Sequence, residues 1–378
     1  MMRRTRMPVG VTAAVAALTA LSTVAVPAGA ANGRPRPPAP ALQHRLDDVV
    51  STGAVGALAE VRRGDDMWRE RSGTAVLGTA RPVRLRGHVR IGSVTKTFVA
   101  TVVLQLVEDG RLDLADPVER WLPGLVPDGD HITVRQLLDH TSGLYDVVRT
   151  LPFPPGREFQ ANRWRTWTPE ELIQRAVAHS PTFAPPGSAF SYSSTNYLLL
   201  GEIIGRVTGT SYAAEIERRI LRPLHLSGTD VPGTDVRIHG AHPHGYVPAL
   251  QDDDEVRLID YSQMNPSVFG AAGEMTSTAQ DLNRFFAALL GGHLISPALL
   301  AQMKTPGVVG AEYGLGLVWR DTPCGVRVYG NDGDALAYQA WSYATGDLRR
   351  QATVAFTPDF RADTDAAAER FIDQAVCE

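Results

Sequence analysis

The sequence predicts an α+β fold: an antiparallel sheet flanked by helices, with a mostly helical region inserted at about 110–270. Three observations carry this prediction. Strand-like runs gather at the two ends of the chain, at 55–61 and 67–77 and again at 313–319, 325–329, 337–343 and 351–357, so one sheet is built from both termini. The long middle is dominated by helical periodicity and helix caps. In segment 93–109, Phe98, Val99, Val102, Val103, Leu104 and Leu106 surround a helix axis, the pattern of a helix buried on most sides.

The elements follow in chain order. Residues 1–31 read as a secretion signal: Arg3, Arg4 and Arg6 precede an uncharged apolar run at 9–26, and Ala28-Gly29-Ala30 supplies small side chains for a peptidase. Residues 32–41, rich in Pro and Arg, read as an extended linker, and 42–378 as one folded domain. A helix at 42–51 leads into the first two strands. Gly110 ends the apolar helix, and a short helix at 133–139 runs into His140-Thr141-Ser142-Gly143. Thr168-Pro169-Glu170-Glu171 is a capping box with proline at the first helical position. Helices at 197–207 (stopped by Gly209), 211–221 and 279–290 follow, the acidic run 252–254 is a solvated loop, and a helix at 365–376 closes the chain.

The bulk properties narrow the function. The chain of 378 residues carries a net charge of −4 with no basic block beyond the leader, which argues against a nucleic-acid partner. No segment after the leader is long and apolar enough to cross a membrane, so a secreted monomer is expected. Cys324 and Cys377 are the only cysteines, and an exported chain meets oxidising conditions. They are expected to pair and tie the C-terminal helix to a strand, contributing at most about 4 kcal/mol by loop closure. No His or Cys cluster has metal-ligand spacing, so no metal site is expected.

The chemistry starts from a composition bias. Of 37 basic residues only Lys96 and Lys304 are lysine. A lysine kept against that bias suits a task closed to arginine, such as giving up a proton. Lys96 follows Ser93 by three residues, which on a helix places amine and hydroxyl one turn apart on one face. That is the arrangement of an amine activating a serine nucleophile. At the start of the apolar helix, the Ser93 N–H and the helix dipole favour developing negative charge. Lowering Lys96 from about 10.4 to about 7 takes about 4–5 kcal/mol of differential stabilisation, within reach of burial plus a neighbouring cation.

Two further stretches are candidates to meet this pair. Tyr192, in Phe190-Ser191-Tyr192-Ser193-Ser194, could shuttle a proton to a leaving group; by itself such a tyrosine is more often a packing residue. Tyr329-Gly330-Asn331-Asp332-Gly333-Asp334 falls where a strand would pass the nucleophile. Gly333 suits a strand position approached closely by a ligand's backbone, and the Asp334 N–H could be a second oxyanion donor. The same stretch could be a turn.

These residues resemble the serine penicillin-recognising enzymes, the branch holding class C β-lactamases and secreted D-alanyl-D-alanine carboxypeptidases. The resemblance runs over about 42–377. It is closest to the carboxypeptidases in Ile91-Gly92-Ser93-Val94-Thr95-Lys96-Thr97-Phe98 and in Leu138-Asp139-His140-Thr141-Ser142-Gly143-Leu144-Tyr145. It extends to residues 192–201, Tyr313-Gly314-Leu315-Gly316-Leu317 and Cys324-Gly325. The resemblance implies a β-lactamase/transpeptidase-like fold, no cofactor, a disulfide at the cysteine pair, and an acyl-enzyme on Ser93. Lys96 and Tyr192 would relay protons and the N–H groups of Ser93 and Asp334 would hold the oxyanion.

Departures from the family pattern bear on the substrate. The second motif, Tyr-x-Asn in the family, has Ser194 in place of the amide, and Asn196 comes two residues later. The third motif reads Asn331-Asp332-Gly333 followed by Asp334, where the family has Lys or His, Thr or Ser, then Gly, with another Thr in the carboxypeptidases. Val318 stands where the carboxypeptidases place an Arg that grips the substrate carboxylate, and Arg320 is a possible substitute. Asp332 and Asp334 alternate onto one strand face and would repel a substrate carboxylate. The expected protein is a secreted active-site-serine hydrolase resembling a D-Ala-D-Ala carboxypeptidase. Its small-molecule or peptide substrate would be a cell-wall peptide, an ester or a β-lactam. An esterase, D-amino-acid amidase or β-lactamase of the same fold and a catalytically impaired binding module are the alternatives. His140 reads as a structural histidine, and Phe269 as a cleft wall or a core aromatic.

Overall fold

A computed structural model describes residues 39–378 of the chain. The expected leader and residues 32–38 of the expected linker lie outside the described residues. Residues 39–41, also expected as linker, belong instead to the first helix, Ala39–Gly53. Leu42, Leu46 and Val49 repeat at helical spacing and are fully buried, so the helix starts as soon as that stripe has a sheet to cover.

The strands are β1 (Ala54–Arg63), β2 (Asp66–Gly73), β3 (Val89–Arg90), β4 (Tyr246–Leu250), β5 (Val256–Asp260), β6 (Thr276–Ser277), β7 (Val318–Asp321), β8 (Arg327–Asp334), β9 (Gln339–Thr345) and β10 (Arg350–Pro358). Six of them form the main sheet in the order β2-β1-β10-β9-β8-β7, antiparallel throughout. The first strand pairs with the last, Leu58 opposite Ala355, so both termini build one sheet. β1 and β10 each carry eight consecutive buried positions because both faces of the sheet are covered. Ala57, Ala59 and Val61 face the terminal helices Ala39–Gly53 and Asp365–Cys377, with Phe371 and Ile372. Leu58 faces the larger core containing helices Val94–Glu108 and Ala279–Leu290.

Three expectations are corrected in detail. The stretch 313–317 is not strand: Gly314 N–H donates to Leu317 O at 2.8 Å and Gly316 adopts φ +77°, a left-handed turn that β7 follows. The expected helical insertion also contains the hairpin β4–β5, whose turn carries the exposed acidic run 252–254. β4 is mostly buried and interrupted by Pro248, and β5 is exposed or half-buried throughout, so neither alternates clearly. Cys324 and Cys377 are bonded, with Cα atoms 5.8 Å apart, but Cys324 sits in the β7–β8 turn rather than in a strand.

Among the described residues, no helix is long and apolar enough to cross a membrane. Among them, too, no three His, Cys, Asp or Glu side chains are grouped to hold a metal ion.

Candidate active site

The site forms where β8 crosses the start of helix Val94–Glu108. Two glycines set that crossing. A Cβ on Gly333 would lie 2.6 Å from Ser93 N and 2.9 Å from Val94 N, and one on Gly92 would lie 2.7 Å from Asp334 N. Gly92 also adopts φ +48°, a conformation that side chains resist. Gly333 is thus approached closely by the protein's own backbone, a reason for glycine besides the expected approach of a ligand. Ser93 and Asp334 both line the resulting cleft of about 280 Å³. The stretch 329–334 is extended strand, not a turn.

Ser93 caps the helix without using its hydroxyl as a cap. Its Oγ accepts hydrogen bonds from Lys96 Nζ at 3.1 Å and from Tyr192 OH at 2.8 Å. Lys96 also donates to Ala272 O at 2.7 Å and is 1% exposed. Burial lowers its amine to about 7, against the opposing pull of Asp146 and Asp332. A neutral amine that touches a hydroxyl can take its proton. Tyr192 lines the cleft and is 38% exposed as a residue. The enclosed surroundings of its hydroxyl, then Tyr313, push the phenol well above its ordinary value. The phenol therefore stays protonated and can act as a donor. Lys304 lies elsewhere, 4.6 Å over the Tyr329 ring.

The supporting layer lies behind these three groups. His140, fully buried at φ +59°, accepts from Ser193 N–H through Nδ1 at 3.2 Å, and its ring is 4.3 Å from that of Tyr192. Burial, then the nearby Lys96, holds it well below its ordinary range, so it is neutral. Asn196 accepts from Ser142 Oγ at 2.8 Å and is also fully buried, so it does not line the cleft in place of the missing amide. Ser194 does line the cleft, at the first turn of helix Ser194–Thr208, which begins three residues earlier than expected.

The third-motif residues divide. Asn331 is buried, and its Nδ2 donates to Thr97 Oγ1 at 3.0 Å, stitching β8 to the helix behind the cleft. Asp332 accepts from Tyr343 OH at 2.8 Å and is not part of the cleft wall. Asp334 lines the cleft and accepts from Leu336 N–H at 2.6 Å. Although Asp334 is exposed as a residue, loss of hydration around its carboxyl pushes it up to about 6. Arg320 is engaged by Glu369 and Asp373 of the C-terminal helix, at 3.2 and 2.7 Å, and does not replace the missing Arg. Val318 is half-buried opposite Gly330. Phe269 is half-buried and walls the cleft.

Two participants escaped the sequence reading. One is the Ala272 carbonyl, which no side-chain pattern can announce. The other is Asp146, whose Oδ1 accepts from Ser194 N–H at 3.0 Å and Val148 N–H at 3.2 Å while the residue lines the cleft. Its signal was an acidic residue directly after the His140–Tyr145 motif, capping the short 3₁₀ turn Val147–Thr150.

Known proteins place this geometry. Residues 39–376 match the family described as Beta-lactamase. The chain is 28% identical to penicillin-binding protein 4* of Bacillus subtilis over 78% of this chain and 66% of that protein. It is 35% identical to esterase EstB of Burkholderia gladioli over 50% of this chain and 51% of that protein. The chain thus spans between half and two thirds of the length of these curated relatives. Among solved structures, a D-stereospecific amidohydrolase from Streptomyces sp. is 38% identical with a TM-score of 0.82, covering 90% of this chain and 99% of that one. The D-amino acid amidase of Ochrobactrum anthropi SV3, complexed with D-phenylalanine, is 27% identical with a TM-score of 0.74, covering 89% and 98%. With the sheet and helices arranged as in these proteins, the chain belongs to the Beta-lactamase family and has the fold of a serine hydrolase.

Proposed function

We propose that this protein is an exported acyl-enzyme hydrolase with Ser93 as nucleophile, cleaving amides or esters of D-amino acids in preference to D-Ala-D-Ala peptides. The observation that carries this reading is the contact of Ser93 Oγ with both Lys96 Nζ and Tyr192 OH. Lys96, neutral, accepts the Ser93 proton as Oγ bonds to the substrate carbonyl carbon. The N–H groups of Ser93 and Asp334 receive the oxyanion. Tyr192 hands a proton to the departing amine or alcohol and is reprotonated from Lys96. Water then attacks the acyl-enzyme by the same relay in reverse, releasing the acid and restoring Ser93. Ser194 would contact the acyl part, while Asn331 and Gly333 hold the crossing. Export is supported by the leader-like first 31 residues and by the disulfide.

The substrate reading rests on charge and on likeness. Asp146 and Asp334 put two carboxylates on the cleft, and the only basic residue of its described wall is Lys96, which the mechanism needs neutral. A substrate carboxylate within about 4 Å of either is disfavoured by roughly 1–4 kcal/mol, whereas the α-ammonium of an amino-acid amide is attracted. The similar amidohydrolase and D-amino acid amidase favour the same choice. Likeness to penicillin-binding proteins keeps D-Ala-D-Ala carboxypeptidase activity as the second reading.

Incubation with D-alanine amide, a D-Ala-D-Ala peptide, p-nitrophenyl acetate and a fluorescent penicillin separates the two readings. Ammonia release from the amide should exceed D-alanine release from the peptide at least tenfold, with an acyl adduct on the Ser93 peptide from the ester. Equal rates on peptide and amide overturn the substrate assignment. A Ser93→Ala protein as active as wild type overturns the mechanism.

A further inference from the structure

The aim of the Lys96 amine depends on a main-chain carbonyl, Ala272 O, and so on the turn that carries it. That turn is the short 3₁₀ loop Gly270–Ala272, which Gly270 enters at φ +46°. It closes when the N–H groups of Gly273 and Glu274 both donate to Gly270 O, at 3.0 and 3.1 Å. The chain then passes beneath Ser93. Met275 N–H donates to Thr95 Oγ1 at 3.2 Å, Ile91 N–H donates to Met275 O at 2.9 Å, and Thr276 pairs with Arg90 of β3.

Glu274 stands between the turn and this anchor. It is 2% exposed and does not line the cleft. Its Oε1 accepts from the hydroxyl of Tyr212, the first residue of helix Tyr212–Ile216. The Tyr212 ring and Ala271 meet at Gly201, in the helix that follows Tyr192. A Cβ on Gly201 would lie 2.7 Å from Ala271 Cβ and 3.2 Å from Tyr212 Cδ1. One buried carboxyl thus ties the turn behind Lys96 to the framework behind Tyr192. Burial pushes that carboxyl up to about 7, with Asp230 adding to the rise while the Tyr212 hydroxyl, the Gly233 N–H and Arg90 oppose it. Burial, then Glu274, holds the Tyr212 phenol well above its ordinary range, so Tyr212 stays the donor.

We infer that Glu274, bonded to Tyr212, is a positioning residue for catalysis: it holds the Gly270–Ala272 turn so that the Ala272 carbonyl keeps the Lys96 amine on Ser93. The inference rests on the acyl-enzyme reading above and adds a residue to it. A carbonyl binds an ammonium more strongly than a neutral amine. If the turn drifts, Lys96 therefore loses its proton at lower pH, and an amine displaced from Ser93 acylates more slowly even when neutral.

Both effects can be read separately. Lys96 and Lys304 are the only lysines, so carbon-13 labelling of lysine gives two side-chain signals by NMR, assigned with Lys96→Met protein. The groups facing Lys96, namely Asp146, Asp332, His140, Tyr192 and Tyr197, stay intact in the variants used. In Glu274→Ala the Lys96 signal should titrate about half a pH unit lower than in wild type. Its high-pH acylation rate with p-nitrophenyl acetate, counted per adduct-forming site by mass, should fall about tenfold. Glu274→Gln keeps an acceptor for Tyr212 and should retain most of the wild-type rate. Tyr212→Phe keeps the ring at Gly201 and should move both readouts in the direction of Glu274→Ala, which also serves if the alanine variant does not fold. A Lys96 midpoint unmoved in the folded variants overturns the inference, as does a rate loss that disappears when counted per adduct-forming site. Equal losses in Glu274→Gln and Glu274→Ala overturn it too, since the hydrogen bond would then not be what matters. Should wild type form no adduct on Ser93, the acyl-enzyme reading falls, and the NMR titration alone still decides whether Glu274 governs Lys96.

Discussion

The two sides of the cleft are held differently. On the Ser93 side, Lys96 and Tyr192 converge on one oxygen, the Ala272 carbonyl anchors the amine, Asn331 ties β8 to Thr97, and two glycines let backbones touch. On the opposite side, Val148, Phe153, Val268 and Phe269 offer half-buried or exposed apolar surface with no comparable network. The first side has little freedom to vary without losing the geometry of proton transfer. The second can change side chains while keeping its backbone, so under the proposed function it is where substrate choice would be set. The third motif illustrates the point. Asn331 and Asp332 differ from the family pattern yet both side chains turn to internal partners, and Asp334 alone of the three reaches the cleft.

Breaking the Ser93 side should have the largest effects. Ser93→Ala should lower ester turnover by about 10³-fold or more, measured by steady-state kinetics alongside intact mass. Lys96→Met should do the same and also separate function from stability. The Lys96 amine titrates near 7 in the fold and near 10.4 in an unfolded chain. The folded state binds that proton less well, so burying the lysine costs about 4–5 kcal/mol below pH 7, a cost that fades as pH rises toward 10.4. Urea unfolding should therefore find Lys96→Met more stable than wild type at pH 6, with the gap narrowing by pH 9. A gap independent of pH contradicts a depressed lysine. By the same protonation, wild-type acylation should rise with pH through about 7, because a charged Lys96 cannot accept the serine proton.

Smaller losses sharpen the contrast. Gly333→Ala forces the new methyl against the Ser93 and Val94 nitrogens. It should cost about 1–3 kcal/mol while lowering kcat, and denaturation curves together with kinetics would show both. Cys324→Ser opens a link spanning a sequence separation of 53. It should cost up to about 4 kcal/mol in denaturation but leave kcat unaltered at 25 °C, because the β7–β8 turn contributes nothing to the cleft. Smallest, Asp146→Asn should weaken kcat/KM for amides bearing a free α-ammonium about tenfold relative to their N-acetylated counterparts. An equal change for both would remove Asp146 from substrate recognition and leave it as a cap for Val148 and Ser194.

Most of the fold could be read in advance because its signals are local and periodic. Helix Ala279–Leu290 matched its expected bounds, Thr133 and Thr168 cap their helices, and Gly209 ends its helix at φ +78°. The hairpin β4–β5 was missed because a mostly buried strand broken by Pro248 and a largely exposed partner carry no strong alternation. The 329–334 stretch stayed ambiguous between turn and strand because Gly, Asn and Asp favour turns locally. Its ladder to β9, with Gly333 opposite Ala340, overrides that preference.

By itself, the sequence determined the serine and lysine one helical turn apart, the all-round apolar helix that holds them, and a sheet drawn from both ends. Each follows from spacing along the chain, which sequence states directly. Only the tertiary structure decided that Tyr192, 99 residues away, reaches Ser93 Oγ, that Ala272 anchors the amine, and that Asp332 turns to Tyr343 while Asp146 borders the cleft. Those contacts depend on which strand face or loop apex meets the helix. That is settled by packing of two cores against one sheet, and no local pattern encodes it.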